Sequence, residues 1–170
     1  MKTIAVLTAC IVIATNVLTV KAPVPFEATT LEERAAMAGF EEDIDSFVLL
    51  SSVVEAESDR SQDLEGRIYI SLVILNRASE EHPEFGDSVY EVLTAPGQFS
   101  TVRNGHSVVG RTDLSDRAVI EAVEWIEQGD APDVLFFNCR GFFSWREPYN
   151  PDRDGDGIPD GAIGGNYFSL

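Results

Sequence analysis

The sequence predicts an α+β domain that is mostly α-helical, with a small β part late in the chain. In the first two-thirds of the chain, apolar residues recur at three- and four-residue intervals, as they do on the buried face of a helix. Short apolar runs suited to strands appear only at residues 134–137 and 167–168. A length of 170 residues leaves room for one domain with short extensions.

Four helices follow from these patterns. The first starts at Asp43 and carries a buried stripe that ends at Glu57. The second, at 64–78, is apolar almost all round, which is typical of a helix in the middle of a domain. Ser88 is expected to cap a short third helix, and Ser115 a fourth that ends at Gly129. The segment 102–109 is expected to form either a hairpin or an irregular loop.

The N-terminal segment has the pattern of a secretory signal. A basic start is followed by an apolar run too short for a comfortable membrane span, and Val20 and Ala22 occupy the two positions that a signal peptidase reads. We expect a signal peptide at residues 1–22, a linker at 23–40 whose residues 31–37 have the composition of a short helix, and the main domain at 41–170. An uncleaved N-terminal anchor is the alternative. With the signal peptide cleaved, the protein is expected to be secreted or extracytoplasmic, without stable membrane insertion.

The charge of the chain excludes one class of partner. The formal net charge is −17, and loss of the signal peptide removes both lysines, which leaves ten arginines against 29 acidic residues and a charge of −19. So acidic a protein is repelled by the phosphates of nucleic acids, and we expect no nucleic-acid partner.

The sequence lacks the motifs that most hydrolytic mechanisms need. His82 and His106 are the only histidines, and they do not form a zinc-binding H-E-x-x-H pattern. A G-x-S-x-G nucleophile motif is also missing. Cys139, alone after signal cleavage, is expected to be a buried apolar residue. Carboxylate chemistry remains, and glycan cleavage is the reaction class that needs little else.

Several motifs resemble, in the same order, those of the cell-wall hydrolase family typified by the spore-cortex-lytic enzymes. The resemblance covers residues 45–170. Ser58 replaces the usual alanine, about one extra residue separates Glu57 from Glu65, and an acidic segment is added at 152–160. The matching elements are Ala56-Glu57-Ser58, Glu65-Gly66, V-I-L-N-R at 73–77, Gly97-Gln98-Phe99-Ser100, F-F-N at 136–138, Trp145 and G-G-N-Y-F at 164–168.

The resemblance implies that residues 41–170 form a lysozyme-like catalytic domain, which is associated with the cell wall and cleaves peptidoglycan glycan strands. Glu57 is then the catalytic residue. A glutamate that ends a buried stripe suits an acid that must hold its proton near neutral pH, because burial disfavours the charged form. Glu55 lies about 200° away around the helix and should face elsewhere. Without a second carboxylate fixed to the motifs, a lytic transglycosylase is favoured. A hydrolytic muramidase and a catalytically silent module that binds the wall or calcium are the alternatives.

The other candidate site residues have supporting roles, and catalysis is expected to need no cofactor. Gln98 and Ser100 are expected to hydrogen-bond substrate from a loop that Phe99 anchors in the core. Tyr69 and Trp145 either stack on sugar rings or belong to the core. Asn138 either contacts substrate or hydrogen-bonds at a strand end.

The acidic segment 152–160 begins with the D-x-D-x-D-G pattern of a calcium loop. The twelfth position, where a bidentate glutamate is usual, is Ile163. A ninth-position aspartate offers a carboxylate instead. We therefore expect a structural Ca²⁺ here, with a plain acidic surface turn as the alternative. Its ligands would be Asp152, Asp154, Asp156 and Asp160.

Overall fold

A computed structural model describes residues 25–58, 63–141, 146–149 and 162–170. Helices dominate these ranges and a small sheet closes the domain late in the chain, which confirms the predicted fold class. A 3₁₀ turn at Phe26–Ala28 precedes the first α-helix. The helices are α1 (Leu31–Met37), α2 (Ile44–Glu57), α3 (Leu64–Arg77), α4 (Val89–Thr94) and α5 (Asp113–Gln128).

The central helices α2 and α3 form where the apolar periodicity places them. Asp43 caps α2 by accepting a hydrogen bond from the Ser46 N–H, and Asp63 caps α3 in the same way from Glu65. The stripe residues Phe47 and Leu50 are completely buried. α3 packs against α2, α4 and α5, so the helix that is apolar almost all round is the centre of the domain.

The segment expected to be a linker contributes to the domain. α1 lies within residues 23–40 and starts at a capping box between Thr30 and Glu33. Ala35 is completely buried, and Arg34 reaches α5 to pair with Asp113 and Asp116. The short helix expected at 31–37 therefore forms, and it packs against the domain instead of lying in a linker.

The start of α5 corrects one prediction. Thr112, rather than Ser115, caps the helix, and the Ser115 side chain accepts a hydrogen bond from the Thr112 N–H to complete a capping box. The helix ends as expected at Gly129, whose φ of 81° is the left-handed conformation that favours glycine.

The strands form one hairpin and one small sheet. β1 (Val102–Arg103) and β2 (His106–Ser107) form the hairpin, so the segment 102–109 is a hairpin and not an irregular loop. β3 (Phe136–Asn138), β4 (Pro148–Tyr149) and β5 (Tyr167–Ser169) form an antiparallel sheet in the order β3-β5-β4.

β5 joins the sheet to the helical core, because Phe168 is completely buried and contacts the ring of Tyr69 on α3. β3 and β5 confirm the late strands, while β4 was not predicted. None of the helices within the described ranges is long and apolar enough to cross a membrane.

Candidate active site

Glu57 is the last residue of α2, and its side chain is half-buried. Its Oε1 accepts a hydrogen bond from the Thr101 hydroxyl at 2.8 Å. Thr101 is fixed at the base of the β1–β2 hairpin, where its carbonyl accepts a hydrogen bond from the Val108 N–H. The carboxylate of Glu57 is therefore oriented by a neutral donor from a different part of the chain.

Glu57 opens into a cavity of about 390 Å³, which we call the Glu57 cleft. Its walls come from the end of α2, the chain after β3 and the turn before β5. Its described lining residues are Glu57, Ser58, Cys139, Gly164, Gly165 and Asn166.

One wall of the Glu57 cleft is a tight turn held against α3. Gly164 and Gly165 have φ values of 54° and 80°, and Ile163 and Asn166 exchange backbone hydrogen bonds of 2.8 and 3.0 Å across them. A Cβ on Gly66 would lie 2.7 Å from the Gly164 Cα. Glycine at position 66 thus lets the first turn of α3 touch the turn that lines the cleft.

Glu55 faces away from this site, as expected. Both of its carboxylate oxygens accept hydrogen bonds from the Arg67 guanidinium at 3.1 Å, and Oε2 also accepts one from the Thr112 hydroxyl. Burial alone would raise the pKa of Glu55, but the hydrogen bonds from Arg67 and Thr112 and the Arg67 charge hold it below its ordinary value. Glu55 is thus kept ionised in a structural ion pair.

The Gly97–Ser100 motif forms a loop over the end of α3. Phe99 is buried, as predicted, while Gln98 and Ser100 are exposed. The Gln98 Oε1 accepts a hydrogen bond from Arg77 at 2.9 Å, so the end of α3 orients the carboxamide. Substrate contact by Gln98 and Ser100 stays a prediction.

Arg77 is the last residue of α3 and is buried. It donates to the Leu135 carbonyl as well as to Gln98, and its guanidinium lies over the rings of Phe85 and Phe136. Burial, and secondarily the charge of Arg146, lower its pKa to about 10.

Tyr69 and Asn138, which were predicted as possible substrate contacts, are engaged in contacts within the protein. Tyr69 is only 4% exposed and packs against Trp125, Tyr149 and Phe168, so neither face of its ring is open to a sugar. Its assignment to substrate binding is wrong because the surrounding aromatic side chains close over it. The Asn138 Oδ1 accepts a hydrogen bond from the Arg140 N–H, which favours the strand-end role.

Other predictions lie outside the described residues. Trp145 and the candidate calcium ligands Asp152, Asp154, Asp156 and Asp160 belong to this group and stay predictions. Among the described residues, no cluster of side chains has the composition to hold a metal ion.

Sequence reasoning missed three residues of this region. Cys139 is exposed and lines the Glu57 cleft, so the expectation that it is buried is wrong. Thr101 directly follows the Gly97–Ser100 motif, and that adjacency was an available signal. Asn166 lies within the motif at 164–168 but was given no role. Local sequence carried no sign that these segments meet at the end of α2.

Comparison with known proteins supports the resemblance. The cell wall hydrolase family model matches residues 61–150, a range that begins just after Glu57. Among solved structures, the catalytic domain of the Bacillus cereus SleB protein matches with a TM-score of 0.55 and 22% identity, over 74% of this chain and 90% of that one. The comparison with curated proteins found no match. The chain belongs to the cell wall hydrolase family and is a peptidoglycan-lytic enzyme.

Proposed function

We propose that the chain cleaves peptidoglycan glycan strands between N-acetylmuramic acid and N-acetylglucosamine as a lytic transglycosylase, with Glu57 as acid and then base. The observation that carries this proposal is the half-buried Glu57 carboxylate, which lines an open cleft and is hydrogen-bonded to the neutral Thr101 hydroxyl. A carboxyl group held in this way is able to take up and release a proton during a reaction.

The Thr101 hydrogen bond also decides which oxygen acts. Because the hydroxyl donates to Oε1, the acidic proton of the neutral Glu57 belongs on Oε2, which remains for substrate. Oε2 protonates the bridging oxygen as the bond from C1 of the muramic acid to that oxygen breaks. An oxocarbenium-like centre develops at C1.

The second half of the reaction restores Glu57. The ionised carboxylate accepts the proton of the C6 hydroxyl of the same muramic acid, and O6 bonds to C1. The products are a 1,6-anhydromuramic end and a free 4-hydroxyl, and no water is consumed. A hydrolytic muramidase would instead add water at C1, with help from a second carboxylate.

The neighbouring carboxylates favour the transglycosylase. Glu55 is engaged by Arg67 and Thr112. The Asp63 Oδ1 accepts the hydrogen bond that starts α3. Within the described ranges, both of these carboxylates already have a structural task, whereas the transglycosylase mechanism needs only Glu57.

The proposal places the enzyme outside the cytoplasm, where its substrate lies, with residues 1–22 as the secretion signal. The signal residues lie outside the described ranges. A catalytically silent binding module is disfavoured because Glu57 and the Gly97–Ser100 loop are both retained.

The test is digestion of purified peptidoglycan sacculi, with mass spectrometry of the released muropeptides. We expect anhydro ends, which are one water lighter than reducing ends. Glu57→Gln should lower the rate by about 10³-fold, since general acid–base catalysis contributes about 10²–10⁴-fold.

Glu124→Gln, the same change at an exposed position of α5, serves as the matched control and should keep full activity. Reducing ends from the unchanged protein would replace the transglycosylase by a muramidase. An active Glu57→Gln variant would remove Glu57 from the mechanism, and binding to sacculi with no product would indicate the silent module.

A further inference from the structure

We propose that Asn166 is a substrate-binding residue, whose side-chain carboxamide hydrogen-bonds the acetamido group of an N-acetylated sugar beside the bond to be cut. The inference deepens the proposed function and rests on the Glu57 cleft being the glycan-binding site. Asn166 and Glu57 line this cleft together, one from the turn before β5 and the other from the end of α2.

The side chain of Asn166 lacks partners where partners are expected. The residue is only 4% exposed, and buried polar groups in proteins are nearly always hydrogen-bonded. Its backbone N–H and carbonyl are used by Ile163. Within the described part of the chain, however, its carboxamide makes no hydrogen bond. An unused carboxamide at the wall of a cleft points to a ligand.

The polar atoms of the Asn166 carboxamide are not sealed from solvent. The Ser51 and Ser169 hydroxyls are unpartnered and sealed from solvent, but the Asn166 side-chain atoms are not among those sealed atoms. The small exposed fraction of Asn166 therefore includes its polar end. Asn166 lines the cavity that it shares with Glu57.

The backbone around Asn166 is rigid enough to position a ligand. The Gly164–Gly165 turn is closed by two backbone hydrogen bonds and touches Gly66 at the start of α3. Immediately after it, Phe168 is completely buried. A binding group held between a tight turn and a core residue loses little freedom when substrate arrives.

The chemistry of a carboxamide suits an acetamido group. Asparagine offers an N–H donor and a carbonyl acceptor side by side, and the acetamido group presents the complementary carbonyl and N–H. A neutral side chain also leaves Glu57 free of a fixed charge that would bias its protonation. The inference predicts discrimination between N-acetylated and de-N-acetylated glycan.

Binding measurements in the Glu57→Gln background test this role without turnover. The probes are sacculi and the same sacculi after chemical de-N-acetylation. Adding Asn166→Ala should weaken binding to acetylated sacculi by about tenfold, the value of one hydrogen bond of about 1.4 kcal/mol. Binding to de-N-acetylated sacculi should not change. Ser169→Ala, a truncation on β5 that removes a sealed hydroxyl, is the matched control and should leave both affinities unchanged.

The inference would be overturned if the Asn166→Ala and parent proteins bound acetylated sacculi with the same affinity. If Asn166→Ala fails to fold, Asn166→Leu, which has a similar shape and no hydrogen-bonding group, must show the same selective loss. Activity of the Glu57→Gln variant would contradict the proposed function separately, because the binding difference does not depend on turnover.

Discussion

Two carboxylates of this protein, Asp116 and Glu57, have opposite kinds of hydrogen-bond partner. Asp116 of α5 is completely buried, and its Oδ2 accepts hydrogen bonds from Arg34 and Arg111. With Asp113 these residues form what we call the Arg34 cluster, which joins α1 to α5. Glu57, by contrast, is held by the neutral hydroxyl of Thr101.

The contrast separates structural charges from the carboxylate that we propose to be reactive. Burial alone would lower the pKa of Arg34, but its hydrogen bonds to Asp116 and Asp113 raise it, so Arg34 keeps its charge. Glu55 is fixed in the same way by Arg67, only two residues from Glu57. A carboxyl group that must give up and regain a proton cannot be paired so strongly, and Glu57 is not.

The largest effect in this comparison should come from breaking the Arg34 cluster. Arg34→Met leaves part of the buried Asp116 charge uncompensated, and we expect the free energy of unfolding to fall by about 3 kcal/mol. The activity per folded molecule should be unchanged. Urea unfolding measures the first quantity and sacculus digestion at low temperature the second.

The matched control for this variant is Arg117→Met. Arg117 pairs with Glu121 on the exposed surface of α5, so its loss should cost about 0.5 kcal/mol or less. Similar losses in the two variants would show that the buried cluster is no more important than a surface pair.

An intermediate effect is expected from Thr101. Thr101→Val removes the hydroxyl that orients Glu57 and should reduce kcat about tenfold, which corresponds to about 1.4 kcal/mol from one hydrogen bond. Thr101→Ser keeps the hydroxyl and should retain most of the activity. A fully active Thr101→Val variant with an unchanged pH profile would mean that the hydrogen bond does not orient the acid.

The smallest effect concerns Glu55 and appears in the pH dependence of stability. Its folded pKa is lowered, so the ion pair stabilises the protein fully above the ordinary value near 4.5 and loses this contribution as the pH falls below it. Thermal melts should therefore show Glu55→Gln to be less stable than the parent at pH 7, with the difference narrowing toward pH 3. A difference independent of pH would contradict this.

The sequence by itself determined the helices and the family. The 3.6-residue periodicity and capping residues such as Asp43 and Ser88 are local signals, and they located α2, α3 and α4 closely. They failed where two local solutions compete, as at Thr112 and Ser115, which both belong to one capping box. The ordered motifs identified the family, and they singled out Glu57.

Only the tertiary structure decided which side chains meet. For Tyr69 the sequence allowed either a sugar contact or a core position, and packing of the sheet on α3 buries it. Cys139 was expected in the core, but the chain after β3 places it at the Glu57 cleft. Thr101 and Asn166 reach the region of Glu57 from positions 44 and 109 residues away in the chain. Contacts over such distances depend on packing of whole elements, which no local pattern encodes.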